Sequence, residues 1–286
     1  MFPRGGRPPA VAAVGMVVAG SRVMYQERAT PVDGAVLWQR TLVRRSGGTR
    51  ILPDGCLDLL WDGNRLSVAG PDTAARWHRS PADVAYVGVR FSGGLGPALL
   101  GVGADELRDR SPDLDELWPS RQARLLGERV EADPATGLEE WVVERAARCE
   151  LDPFGSRVLA MATVGSSTAV MADRLGITTR HLHRRCLHAF GYGPRRLARV
   201  LRFRRALDEI RSGAPLAEVA AVCGYADQAH LSREVRTLAG TTPLGLVDDP
   251  YVGGSGANRS TGLPSGSWTT AYRMPQKASQ GSRWPS

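Results

Sequence analysis

Two hydrophobic periodicities divide the chain. From about residue 24 to 92, apolar positions alternate or form short runs: Ala35–Val43, Ile51–Leu52, Cys56–Trp61, Leu66–Ala69 and Val84–Phe91. Pro53-Asp54-Gly55, Asp62-Gly63-Asn64 and Gly70-Pro71-Asp72 separate several of them, and such residues favour turns and hairpins. A small β-rich unit, barrel or sandwich, is predicted. From about 95 to 165 the spacing becomes helical, cut into short pieces by Pro112, Pro119, Pro134 and Pro153. Thr136–Cys149 places Leu138, Trp141, Val142 and Arg145 on one stripe. Such a stripe is usually core, with a dimer contact as the alternative.

Further on, one pattern occurs twice. Ser167 or Thr168 can cap a helix through Ala169–Leu175, and Gly176 ends it. Thr178 or Thr179 caps a second helix, Arg180–Phe190, whose apolar side is Leu182, Cys186 and Ala189. A small residue, Ala172, stands four before the glycine and an aliphatic anchor, Leu182, six after it. That is the spacing of a helix-turn-helix. About 48 residues later, Pro215 opens a helix that Gly224 ends, with Ala220 four before it. Asp227 then caps Gln228–Leu238, with Leu231, Val235 and Leu238 as the buried stripe. Leu231 comes seven after Gly224, so the second turn is one residue longer. A helix over Pro194–Arg211 joins the units, with Leu197, Val200, Leu201, Leu207 and Ile210 as its apolar face. Eighteen residues span about 27 Å, near the ~34 Å between successive major-groove faces on one side of B-DNA.

Charge sharpens this picture. The net +8 arises from 37 Lys+Arg against 29 Asp+Glu, and residues 156–247 alone hold 14 basic against 6 acidic side chains. The excess lies on the duplicated unit, which points to a polyanion. On the first recognition helix Arg180, His183 and Arg184 face away from the apolar side; on the second, Gln228, Ser232 and Arg233 do so. Arg suits guanine and Gln suits adenine in the major groove. Thr179, Arg195, Arg196, Arg199, His230 and Arg236 are placed for the DNA backbone.

Other chemistry is poorly supplied. Cys56, Cys149, Cys186 and Cys223 are scattered, and His78 is the one histidine of the first 155 residues. No catalytic residue, cofactor or metal site is expected, and the chain is not expected to be an enzyme. The enzyme alternative, alkyl transfer from damaged DNA to Cys56, lacks a neighbouring base in the sequence. A third reading is an architectural DNA binder without an effector. Ala10–Gly20, following Arg4 and Arg7, resembles a signal-peptide core, but the scattered cysteines disfavour a secreted protein. No apolar run reaches the ~20 residues of a membrane helix, so a cytoplasmic location and no membrane partner are expected.

The strings "MADRLGITTRHLHRRCLHAFGYGPRRL", "RFRRAL" and "LAEVAAVCGYADQAHLSREVRTLAGTTP" make residues 160–246 resemble the DNA-binding domain of the AraC/XylS family of bacterial transcription regulators. The resemblance implies seven helices with two helix-turn-helix units, binding promoter DNA and usually activating transcription with RNA polymerase. It also implies that the positions of Arg180, His183, Arg184, Gln228, Ser232 and Arg233 face DNA. Cys186 and Val235 stand where such domains usually carry Phe, and Arg185 where an apolar residue is common. "LPDGCLDLLWDG", "VAGPDT", "VGVRF" and "DLDELW" resemble, less specifically, a β-rich regulatory domain of some of these regulators, in which Trp61, Trp77, Tyr86 and Arg90 are candidates to line a pocket.

The expected fold is α+β: a β-rich N-terminal domain, a helical linker and an all-α double helix-turn-helix domain. The expected boundaries are 1–23, a disordered or wrongly assigned start with Met24 as initiator; 24–152, the regulatory domain with a helical C-terminal part; 153–247, the DNA-binding domain; and 248–286, a disordered tail. Expected partners are double-stranded promoter DNA and RNA polymerase, with a small-molecule effector and a second copy of the chain as candidates.

Overall fold

The computed structural model describes residues 12–18, 21–43, 47–80 and 84–248. The tail expected at 248–286 lies, beyond Asp248, outside the described residues, as do residues 1–11. The fold is α+β. Eight strands come first: β1 (Ala12–Val18), β2 (Ser21–Ala29), β3 (Ala35–Val43), β4 (Gly47–Ile51), β5 (Leu57–Trp61), β6 (Leu66–Ala69), β7 (Arg76–Ser80) and β8 (Ala85–Phe91). Six form one antiparallel sheet in the order β1-β2-β3-β8-β5-β6, and β4 pairs with β7 in a second. The strands begin ahead of residue 24, where the folded chain was expected to start. Ala12 pairs with Glu27 and Val18 with Ser21, so the apolar run of the sequence extends a β-hairpin.

Helices α1 (Leu95–Leu100), α2 (Leu114–Leu117), α3 (Ser120–Ala132) and α4 (Pro134–Arg148) cover one face of the large sheet. Asp133 caps α4, accepting from the Thr136 N–H at 3.1 Å, with Pro134 in the first turn where its missing N–H costs nothing. The stripe Leu138, Trp141 and Val142 is buried against Leu37, Leu59, Val89 and Phe91. The Trp141 ring sits 6.2 Å from Phe91 and 5.8 Å from Trp118. The stripe is therefore core and not a dimer contact.

Seven helices complete the described chain: α5 (Phe154–Thr163), α6 (Thr168–Arg174), α7 (Thr179–Phe190), α8 (Pro194–Arg211), α9 (Leu216–Val222), α10 (Gln228–Ala239) and α11 (Pro243–Asp248). They build two apolar cores, one around Leu182, Cys186, Phe190 and Leu197, the other around Phe203, Leu207, Leu231 and Val235. Leu52, just after β4, is buried in the second of these cores. Burying a leucine contributes about 1.5–3 kcal/mol, so the N-terminal domain is fastened to the second helix-turn-helix from inside its core.

Candidate nucleic-acid interface

The two helix-turn-helix units repeat down to single hydrogen bonds. In the first, the Gly176 N–H donates to Asp173 O and the Ile177 N–H to Ala172 O; in the second, the Gly224 N–H donates to Ala221 O and the Tyr225 N–H to Ala220 O. Gly176 and Gly224 take the left-handed φ (65° and 74°) that this closure needs. Ser167 caps α6, Thr178 caps α7 and Asp227 caps α10, the last one residue further from its glycine. The longer second turn is therefore present.

Leu182, Cys186, Leu231, Val235 and Leu238 are wholly buried. On α7 the third buried place goes to Phe190, because Ala189 is turned towards Gly94 of the N-terminal domain. Arg185, at a commonly apolar place, lies with its guanidinium 3.8 Å over the Phe154 ring and pairs with Asp152. A flat cation on an aromatic face thus fills the position.

Arg180, His183, Arg184, Gln228 and Arg233 are exposed and Ser232 is half-buried. The His183 ring leans over the start of α8, so close that a Cβ on Gly193 would lie 2.6 Å from Nε2. His183 there shares a cavity of about 690 Å³ with Thr179, Arg195 and Arg196. Arg108, from the N-terminal domain, lines the same cavity and was not picked out from the sequence. Nothing in its sequence spacing marks it.

The remaining backbone candidates divide. Arg195, Arg196 and Arg236 are exposed. Arg199 is half-buried, with Nε donating to Glu234 at 2.6 Å, which ties α8 to α10. His230 is held by its own turn: its Nδ1 accepts from the Ala226 N–H at 3.3 Å and its ring meets Tyr225 edge-on at 5.3 Å. Arg202 lies 4.8 Å over the same Tyr225 ring. Arg204 is buried beneath the N-terminal domain, with Asp54, Asp208, Arg90 and Cys56 in its electrostatic surroundings.

The four N-terminal pocket candidates do not come together. Trp61 belongs to the core under α1–α4, Tyr86 packs with Tyr25 and Trp38 on the opposite face, and Trp77 is exposed beside Arg50. Arg90 lines a cavity of about 700 Å³ between the domains, and Trp61, Trp77 and Tyr86 are not in its lining. Asp54, Cys56 and Arg90 lie on one side of it, and Leu159, Arg202 and Arg204 on the other. Burial pushes the Cys56 thiol well up, and Asp54 adds to the effect, so the thiolate an alkyl acceptor needs is disfavoured.

One buried carboxyl, Asp72, lies beside the domain contact and pairs with Arg76 at 2.8 Å. Burial lifts Asp72 to about 7, opposed by Arg76 and reinforced by Asp54 and Asp109. Its backbone carbonyl accepts from the Tyr192 hydroxyl across the domain interface. A carboxyl raised above its unfolded value of about 3.9 contributes stability that is complete below that value. The contribution is lost as pH rises through about 7. Asp72→Asn should therefore raise the melting temperature relative to the unaltered chain at pH 8 and not at pH 5. An unchanging difference between the two would contradict this charge state.

Among the described residues no group of His, Cys, Asp and Glu could hold a metal ion, and no helix is long and apolar enough to cross a membrane. Residues 171–247 match a helix-turn-helix domain family and residues 35–113 a domain of unknown function, DUF6597. No curated protein sequence matches the chain. Similar solved structures include ToxT from Vibrio cholerae O395, at 10% identity and TM-score 0.39, covering 75% of this chain and 96% of that one. ToxT bound to (E)-4-(8-methylnaphthalen-1-yl)but-3-enoic acid follows at 9% and 0.42, covering 75% and 97%. Unsaturated-fatty-acid-bound ToxT from V. cholerae strain SCE256 gives 9% and 0.41, covering 77% and 96%. With its two matching units and their exposed basic helices, the chain carries an AraC-type helix-turn-helix domain behind a β-rich N-terminal domain and is a DNA-binding transcription regulator.

Proposed function

We propose that this regulator reads a specific promoter sequence by laying α7 and α10 into two adjacent major grooves, and that it activates transcription with RNA polymerase. The observation that carries the reading is the pair of recognition helices with exposed Arg180, Arg184, Gln228 and Arg233, held on one 18-residue helix. Ser232 joins the base-reading group. Thr179, Arg195, Arg196 and Arg236 supply backbone contacts, and His183 sits between the two roles. Arg199 and His230 are the weaker backbone candidates, because Glu234 and the turn at Ala226 already engage them. The folded units are taken as residues 24–152, extended forward by the first hairpin, and 153–247. The protein acts in the cytoplasm, as a monomer or a homodimer.

The test begins with duplexes selected from a random-sequence pool by the full chain. Arg184→Ala and Arg233→Ala should each lose about 1–3 kcal/mol and relax preference at one base position. Arg195→Ala should weaken selected and scrambled duplexes alike and reduce the salt slope by about one. Equal loss on both duplexes for Arg184→Ala would overturn base reading by that residue.

Control is assigned to the N-terminal domain. The cavity of about 700 Å³ between the domains falls in the ~300–1,000 Å³ range of small-molecule sites. An effector filling it would press on α5 and α8 from one side and on the loop before β5 from the other.

A further inference from the structure

The C-terminal ends of both recognition helices are capped by the N-terminal domain. The last carbonyls of a helix lack intrahelical partners. At the end of α7, the Ala104 N–H donates to His188 O at 2.8 Å and Arg108 Nη1 to Gly191 O at 3.4 Å. At the end of α10, the Ala75 N–H donates to Leu238 O at 2.7 Å and Arg50 Nη1 to Ala239 O at 2.6 Å. Each end thus receives one backbone N–H and one arginine, the charge that a helix C-terminus favours.

The capping segments 70–76 and 103–111 are themselves bonded together. The Gly70 N–H donates to Arg110 O at 3.0 Å and the Asp109 N–H to Pro71 O at 3.1 Å. The Asp109 carboxylate accepts from the Thr73 N–H at 2.6 Å and from the Thr73 hydroxyl at 3.0 Å. Arg76 donates to Ser111 Oγ at 3.0 Å. Asp109 has a φ of 59°, the left-handed region that non-glycine residues rarely occupy. Its bonds to Thr73 hold that conformation in place. A continuous path therefore runs from α7 through Ala104, Asp109, Thr73 and Ala75 to α10.

We propose that this path is a ruler: the N-terminal domain fixes the separation and relative rotation of the two recognition helices, with Asp109 as the central positioning residue. Two units joined by a single helix can twist about its axis. A second strut beside α8, touching it where Arg196 Nη2 donates to Thr73 O at 3.4 Å, removes that freedom. The chain would then accept two base elements at one separation only. The inference rests on the two-groove reading above.

The experiment uses the full chain and duplexes selected from a random pool by the unaltered protein, then remade with the two elements one base pair closer or further apart. One base pair turns the second element by roughly 35° about the duplex. The unaltered protein should lose about tenfold in affinity for either change. The double variant Thr73→Val, Asp109→Gly should lose less than about threefold while keeping its base preference within each element, and Asp109→Asn should restore the sharp profile. Arg50→Ala with Arg108→Ala removes one of the two caps at each end and should flatten the profile in the same direction, so the outcome does not hang on one variant folding. If both variants bind every duplex more weakly but keep the sharp profile, the bridge is structural only and the proposal falls. If the unaltered chain selects a single element, the two-groove reading falls and the ruler with it.

Discussion

Gly70→Ala is expected to destabilise the protein by about 3–5 kcal/mol, far more than an alanine introduced at another turn. A Cβ on Gly70 would lie 1.7 Å from Leu107 O and 2.5 Å from its carbonyl carbon. These are backbone atoms, so no rotamer change can make room. The segments would have to separate by more than an ångström, which stretches the bonds joining Gly70 to Arg110 and Pro71 to Asp109. Gly63 provides the contrast. It has a φ of 93° with nothing within 4 Å of a built Cβ, so alanine there costs only conformational strain, about 1–2 kcal/mol. Thermal unfolding of the two variants separates the causes. At about 2–4 °C per kcal/mol, Gly70→Ala should melt roughly 10 °C lower, and equal shifts would contradict the close approach. Because Gly70 lies where the capping segments meet, the same variant should loosen the grip on α7 and α10.

The DNA-binding half of the fold was legible because its signals are local. The cap, the small residue, the glycine and the anchor of each helix-turn-helix stand within a dozen residues. The expected span of α8, Pro194–Arg211, is the span observed. The burial of Phe203 and Arg204 was not read from α8, since it depends on what covers the helix from outside. Helical spacing predicts one apolar stripe, whereas α8 meets both helix-turn-helix cores and the N-terminal domain. In the β-rich half, β3 and β6 match their apolar runs. The strand β7 was missed because Arg76, His78 and Arg79 carry no apolar alternation, and pairing with β4 supplies what pattern cannot. The domain contact was the least legible. Ala75, Ala104 and Gly191 act through backbone groups, which leave no mark in side-chain chemistry.

Arg90→Leu should destabilise the chain by about 3–5 kcal/mol at pH 7, because it removes one member of a buried ionic cluster and leaves the others behind. Arg90 Nε lies 3.2 Å from Asp58 and 3.9 Å from Asp54, and the Trp38 indole N–H donates to Asp58 at 2.7 Å. Burial already raises the Asp58 carboxyl above the usual range, with Arg90 as the main opposing influence. Without that cation the folded-state value climbs further. A carboxyl raised in the folded state adds stability at low pH and loses it as pH rises through its folded value. The deficit of Arg90→Leu against the unaltered chain should thus be largest at neutral pH and shrink towards pH 4. Asp58→Asn added to Arg90→Leu should recover part of the loss at pH 7, since an amide costs less to bury than an unpaired charge. A deficit independent of pH and unrelieved by the second change would mean that lost packing, and not stranded charge, is what Arg90 prevents. The pH series also bears on control, because Arg90 faces the cavity between the domains. A variant that unfolds locally there should lose the sharp response of DNA binding to element separation before it loses affinity for either element alone.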